Sequence, residues 1–195
     1  MGKRVFLLTG TPCVGKTAIA KQLSSKLDGL YVNLTELAMK QNLTLRHDKK
    51  RNTDIINENK MRHTLDEIID ETEKATIIID GHYAPAVTPR DKVTRIFVLR
   101  RDPRELRIFM ERSGFSEPKL FENLAAEILD VCLVEALREH PKVKVCEIDI
   151  TGKTMEQALI DVLAVIHDHQ KCRVGCVDWL GTLESEGVLD DYLKI

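Results

Sequence analysis

The chain has 195 residues, 43% of them hydrophobic and 31% charged, with a net charge of −2 at pH 7. That length suffices for one well-buried core and is short for two ordinary domains with a linker, and the balance excludes a disordered or fibrous chain. Near-neutral charge also excludes a strongly basic nucleic-acid binder, so any contact with RNA needs a local patch.

Apolar runs suited to buried parallel strands fall at Val5 to Leu8, Leu30 to Leu34, Ala75 to Ile79, Ile96 to Leu99 and Val143 to Ile150, with helix-period segments between them. The alternation predicts an α/β domain over residues 1–170, a five-stranded and mostly parallel sheet flanked by helices. The opening Met1-Gly2-Lys3-Arg4 followed by an apolar run looks like the start of an export signal, but the run stops at Thr9 and Gly10 and reads as a strand. Asn42 to Asn57 is polar with few apolar anchors and is expected to be a loop that meets ligand or moves. Leu120, Leu124, Ile128 and Cys132 share one helical face after Ser116, and Thr154 to Gln157 fits a capping box. Residues 171–195 read as an appended amphipathic extension carrying Trp179, Leu183, Leu189 and Leu193. No run approaches the roughly 20 apolar residues of a membrane span, which gives an expectation of a cytoplasmic protein without a membrane partner. Five cysteines, at 13, 132, 146, 172 and 176, are then expected to be reduced thiols.

Gly10-Thr11-Pro12-Cys13-Val14-Gly15-Lys16-Thr17 matches G-x-x-x-x-G-K-[ST] between a strand and the helical segment from Ala18 to Leu27. Small residues there let main-chain N–H groups approach phosphates, and the helix adds its positive end. Gly10, Thr11, Cys13, Gly15, Lys16, Thr17 and Ala18 are the candidate phosphate-binding set, Lys16 reaching the β- and γ-phosphates and Thr17 offering its hydroxyl to magnesium. The run Ala75 to Ile79 delivers Asp80 to the carboxyl end of a strand, the edge at which open α/β sheets bind ligands. Asp80 is therefore a second candidate magnesium group, the alternative being a plain Asp-Gly turn. His82 follows two residues later and could orient a water or the metal shell, or be an ordinary hydrogen-bonded histidine. Five arginines crowd Arg100 to Arg112; a guanidinium on a closing segment stabilises phosphoryl transfer, and Arg112, just before the Ser113-Gly114 break, is the preferred candidate. The others read as a solvated face paired with Asp102, Glu105 and Glu111.

With these pieces in place the chain resembles the adenylate kinase isoenzyme 6 family, in its archaeal form, through Gly10 to Thr17, Tyr31 to Ala38 (YVNLTELA), Asp80 to Tyr83 (DGHY), Val98 to Pro103 (VLRRDP) and Ser113 to Leu129. The resemblance implies an adenylate kinase-like P-loop domain that binds ATP with Mg²⁺, a monophosphate-binding region near residues 33–57 and a short lid near 102–112. It implies conversion of ATP and AMP, or another nucleoside monophosphate, to diphosphates, alongside ATP hydrolysis at His82, with Asn33, Lys40 and Arg46 around the monophosphate. It also implies engagement of a small-subunit ribosomal protein and rRNA during maturation. Nucleotide-gated assembly without a physiological kinase reaction, or another small-metabolite kinase, are the alternatives. Three departures stand out: Cys13 replaces the usual glycine, Ser113 replaces the arginine expected before Gly114, and Arg46 to Asn52 is basic where relatives are acidic. His167, His169, Cys172 and Cys176 are a ligand set that zinc accepts, at unfamiliar spacing; the alternative is two small buried cysteines at i and i+4 of a helix, with the histidines at an exposed helix end.

Overall fold

The computed structural model describes residues 2–48 and 53–194. β1 (Arg4–Thr9), β2 (Leu30–Asn33), β5 (Thr76–Asp80), β6 (Val93–Arg100) and β7 (Val145–Asp149) form one sheet in the order β2-β5-β1-β6-β7. Every neighbouring pair is parallel. The near-continuous apolar runs follow from this, because helices cover both faces of the sheet. Phe6, Leu8, Ile78, Phe97, Leu99 and Ile148 face one layer, made by α1 (Lys16–Lys26), α5 (Pro103–Arg112), α6 (Glu117–Ile128) and α8 (Met155–Ile166). Val5, Leu7, Ile77, Ile79, Ile96 and Val98 face the other, which includes α2 (Leu34–Lys40), α3 (Glu58–Glu71), α4 (Ala84–Val87) and α7 (Val131–Glu139).

Several expected boundaries move. Leu34 opens α2 rather than ending β2, because the Asn33 side chain accepts the Glu36 N–H and caps the helix. Val143 and Lys144 lie in a 3-10 turn, Lys142–Lys144, ahead of β7. The helical face expected to run through Cys132 is broken at Asp130, whose φ of 57° ends α6 and starts α7. The capping box at Thr154 is present in both directions: Gln157 N–H donates to Thr154 Oγ1 at 3.2 Å, and Thr154 N–H donates to Gln157 Oε1 at 2.9 Å.

The polar stretch from Asn42 to Asn57 is not simply a loop. β3 (Thr44–Asp48) and β4 (Thr53–Ile56) pair antiparallel as a two-stranded ribbon outside the main sheet. Main-chain pairing, which needs no apolar side chains, holds it together. Residues 49–52 of the basic segment Arg46 to Asn52 lie outside the described residues.

The C-terminal segment carries α9 (Trp179–Ser185) and α10 (Leu189–Tyr192), and Val177, Trp179 and Leu183 are buried against Ile128 of α6. Cys146 and Cys172 are joined as a disulfide, which corrects the expectation of five reduced thiols; Cys13, Cys132 and Cys176 are free. The chain returns beside β7 there, Glu147 N–H donating to Arg173 O at 2.8 Å, so the pairing reflects a long-range approach that cysteine spacing does not encode. The zinc quartet does not assemble: Cys172 is bonded to Cys146 and the Cys176 thiol lies 3.3 Å from Glu147 Oε2. No cluster of three or more metal-ligating side chains occurs among the described residues. Nor is any described helix long and apolar enough to cross a membrane.

Candidate functional site

β1 ends in the loop that runs from Gly10 to Gly15, and α1 begins at Lys16. Gly10 adopts a φ of 138°, and a Cβ at that position would stand 2.5 Å from Leu99 O, so only glycine fits. Cys13 takes a φ of 64°, a left-handed conformation that a side chain makes costly. The loop keeps its left-handed turn with cysteine in place, and Cys13 Sγ lies 3.8 Å from Ser113 Oγ at the end of α5. Cys13, Gly15, Lys16, Thr17, Ala18 and Lys21 line a groove of about 460 Å³.

Within the groove Lys16 Nζ donates to Thr11 O at 2.9 Å. Burial lowers the Lys16 pKa from its ordinary value, with Cys132 and Asp80 the chief opposing influences. Thr17 Oγ1 donates to Asp80 Oδ2 at 2.7 Å. Asp80 is 1% exposed, and the same oxygen accepts Tyr31 OH at 3.0 Å and Asn33 Nδ2 at 2.9 Å. The sheet register explains the convergence, since Asn33 pairs with Asp80 and Tyr31 lies two residues back on the same face of β2. Asp80 and burial together push the Tyr31 hydroxyl up to about 12, burial being the larger cause.

His82 sits in the turn after β5, and its carbonyl accepts Thr9 Oγ1 at 2.8 Å. Its ring meets Tyr83 edge-on, with centroids 4.9 Å apart. Surrounding protein, then Lys16 and Lys119, lower the imidazole to about 4 against the pull of Asp80. The residue as a whole is exposed, so the direction is what the chemistry uses: a neutral ring at pH 7.

The arginines divide clearly. Arg100 is 2% exposed and bound to Glu127, Asp130 and Glu147. Arg101 braces the loop from behind, donating from Nε to Val14 O at 3.4 Å, and pairs with Glu105. Arg104 is held by Asp102 and Glu186, and Arg107 by Glu111. Arg112 is exposed at the C-terminal end of α5, has no hydrogen-bond or ion-pair partner among the described residues, and precedes the Ser113 that touches Cys13. α5 is anchored through buried Leu106 and Met110.

Thus Lys16, Thr17, Asp80 and His82 gather at the carboxyl edge of the sheet. Thr11 presents its carbonyl to Lys16 while its side chain turns inward, 1% exposed. Asn33 spends both ends of its amide, one on Asp80 and one on the α2 cap, and so supports the site from beneath. Lys40 lines a separate groove of about 320 Å³ that also includes Tyr31 and Asn33, and Arg46 is exposed on β3. Sequence reading missed the hydroxyl of Tyr31 as an Asp80 donor. It also missed Glu127, whose carboxylate accepts Thr11 Oγ1 at 2.5 Å.

Residues 7–130 match the family described as an AAA domain. A Methanocaldococcus jannaschii protein named "Putative adenylate kinase" is 39% identical over 172 residues, 88% of this chain and 90% of that one. A Pyrococcus furiosus protein of the same name is 35% identical over 195 residues, 98% of each. Among solved structures, a shikimate kinase from Acinetobacter baumannii superposes with a TM-score of 0.60 over 87% of this chain and 96% of its own, at 13% identity. A gluconokinase from Sinorhizobium meliloti gives 0.51 over 86% and 93%, at 11% identity, and both show a shared fold. The strand-loop-helix at Gly10 to Thr17, the parallel sheet and the extent of these matches establish that the chain belongs to the adenylate kinase-like family of P-loop proteins.

Proposed function

We propose that this protein transfers the terminal phosphoryl group of ATP to a nucleoside monophosphate, AMP foremost, and hydrolyses ATP in its absence. The observation that carries the reading is the 2.7 Å contact between Thr17 Oγ1 and Asp80 Oδ2 beside Lys16. A hydroxyl and a buried carboxylate at that spacing fit Mg²⁺, which takes few protein ligands and completes its shell with phosphate and water. When bound, the ion would neutralise charge on the transferring phosphoryl group.

The chain's own groups account for the remaining roles. Main-chain amides from Gly10 to Ala18 would hold the β-phosphate, and Lys16 would leave Thr11 O to grip the β- and γ-oxygens. Arg112, exposed at the end of α5 next to the Ser113 that touches Cys13, carries a guanidinium with no partner among the described residues and is suited to charge that develops in transfer. In hydrolysis, the neutral ring of His82 can accept a proton from water or hold that water in line. Lys40 and Arg46 are the cationic candidates on the monophosphate side, while α5 is the candidate lid. The adenylate kinase name of the relatives supports AMP as the acceptor.

Membership of the isoenzyme 6 group, with a small-subunit ribosomal protein and rRNA as partners, belongs to the same proposal and is supported by the stretches at Asp80 to Tyr83 and Ser113 to Leu129. Product analysis of ATP with and without AMP tests the reading. Two ADP per ATP consumed in the presence of AMP is the expected result. Turnover to ADP and phosphate that AMP leaves unchanged would remove the kinase reading and leave hydrolysis alone; a panel of non-nucleotide alcohols covers the small-metabolite alternative.

A further inference from the structure

Behind the phosphate loop lies a buried polar network that nucleotide contact does not explain. Glu127, on α6 and 2% exposed, accepts Thr11 Oγ1 on Oε2 at 2.5 Å. Its other oxygen accepts Arg100 Nε at 2.8 Å, Arg101 N–H at 3.2 Å and Trp179 Nε1 at 3.2 Å. Arg100 continues through NH1 to Glu147 Oε1 at 2.5 Å. Glu147 Oε2 in turn accepts the N–H groups of Gly175 and Cys176, each at 2.8 Å. A carboxylate this deep needs a donor on each lone pair, so each donor is fixed in place by it.

We infer that Glu127 is a positioning residue for the phosphate loop, with the C-terminal segment forming the loop's rear wall through Trp179 and the Gly175-Cys176 amides. Thr11 is held at both ends. Its hydroxyl is tied backwards to Glu127, while its carbonyl points forwards and accepts Lys16 Nζ at 2.9 Å. Shifting the hydroxyl therefore shifts the carbonyl that sets the resting position of the lysine. Arg101 adds a second rear brace at Val14 O. On this account residues 175–179 complete the nucleotide site without touching nucleotide.

The inference rests on the nucleotide-binding reading above, and the test separates the two. Trp179 is the single tryptophan in the chain, so its emission reports on Glu127 directly. Mg-ATP is titrated into the full-length protein while calorimetry and Trp179 fluorescence are followed in parallel. The wild type is expected to give the same midpoint by both. Thr11→Val, which keeps the shape and deletes the donor, should lose the fluorescence response and raise the KM for ATP by about tenfold with kcat changed by less than about threefold. Thr11→Ser should restore both. Glu127→Gln should raise KM similarly, and if it fails to fold, the Thr11 pair carries the test. Wild-type KM and fluorescence response in Thr11→Val would overturn the inference while leaving nucleotide binding intact. No calorimetric binding of Mg-ATP by the wild type would overturn the nucleotide reading and this inference together.

Discussion

Thr17 Oγ1 and Asp80 Oδ2 stand 2.7 Å apart, although 63 residues separate them in the chain. β5 and β1 are neighbours in the sheet, Leu8 pairing with Asp80, so the strand carrying the carboxylate ends beside the loop that leads to the hydroxyl. Asp80→Asn keeps the volume and removes the charge. We predict a loss of turnover of at least about a hundredfold and a flattened dependence on Mg²⁺ concentration. Steady-state rates across a magnesium titration check this, and near-wild-type rates would remove Asp80 from the metal role.

Asn33 distinguishes support from substrate contact. If its amide acts on Asp80 and the α2 cap, Asn33→Ala should destabilise the fold by about 1–2 kcal/mol in denaturant melts, from the lost cap and the lost bond to a carboxylate. Asn33→Asp keeps the cap, places a second negative charge against Asp80, and should impair turnover more than stability. A substrate ligand would instead raise the KM for the monophosphate and leave the melts unchanged.

Cys13 holds a left-handed backbone conformation with a side chain attached. Replacing it by glycine should stabilise the protein by about 1 kcal/mol, because the local strain exceeds the entropy glycine adds to the unfolded chain. Paired thermal melts of wild type and Cys13→Gly measure it. A lower melting temperature in the variant would show that the thiol, rather than the backbone, governs this turn.

The elements that were legible in the sequence share a cause. Five strands could be read because burial on both faces demands unbroken apolar runs, and the phosphate loop because its glycines answer a local steric need, as Gly10 against Leu99 O illustrates. What stayed hidden depends on approach between distant segments. The β3-β4 ribbon pairs through main-chain bonds, and its few apolar residues, Leu45, Ile55 and Ile56, do not alternate in a way that marks two strands. Tyr31 looked like a strand residue until the register placed its hydroxyl on Asp80. Arg100 belonged to a run of charges that reads as solvated, yet three carboxylates from α6, the α6–α7 junction and β7 take it into the interior. The Cys146–Cys172 bridge is of the same kind, set by the return of the chain along β7.

His82 gives a pH-dependent test. Its imidazole is lowered to about 4 from an ordinary 6.5, first by loss of solvent to the protein around the ring, although the residue as a whole is exposed, and then by Lys16 and Lys119. Between those values the unfolded chain binds more protons than the folded one, so stability from this group rises with pH through the window, is complete above 6.5 and fades as pH falls towards 4. An NMR titration of the ring should give a midpoint well below that of a free histidine. A midpoint at or above 6.5 would contradict a neutral ring in the cleft, and would weaken its role in hydrolysis. His82→Ala is expected to reduce ATP hydrolysis by about tenfold or more while transfer to AMP falls less.

All of these roles presuppose that the loop from Gly10 to Thr17 grips a triphosphate. Calorimetric titration of Mg-ATP into wild type and Lys16→Ala tests that most directly. Saturable, near-stoichiometric binding by the wild type, weakened by at least about tenfold in the variant, is the predicted result. Absence of binding of Mg-ATP or any other Mg-nucleoside triphosphate by the folded wild-type protein, or equal affinity in both proteins, would contradict it.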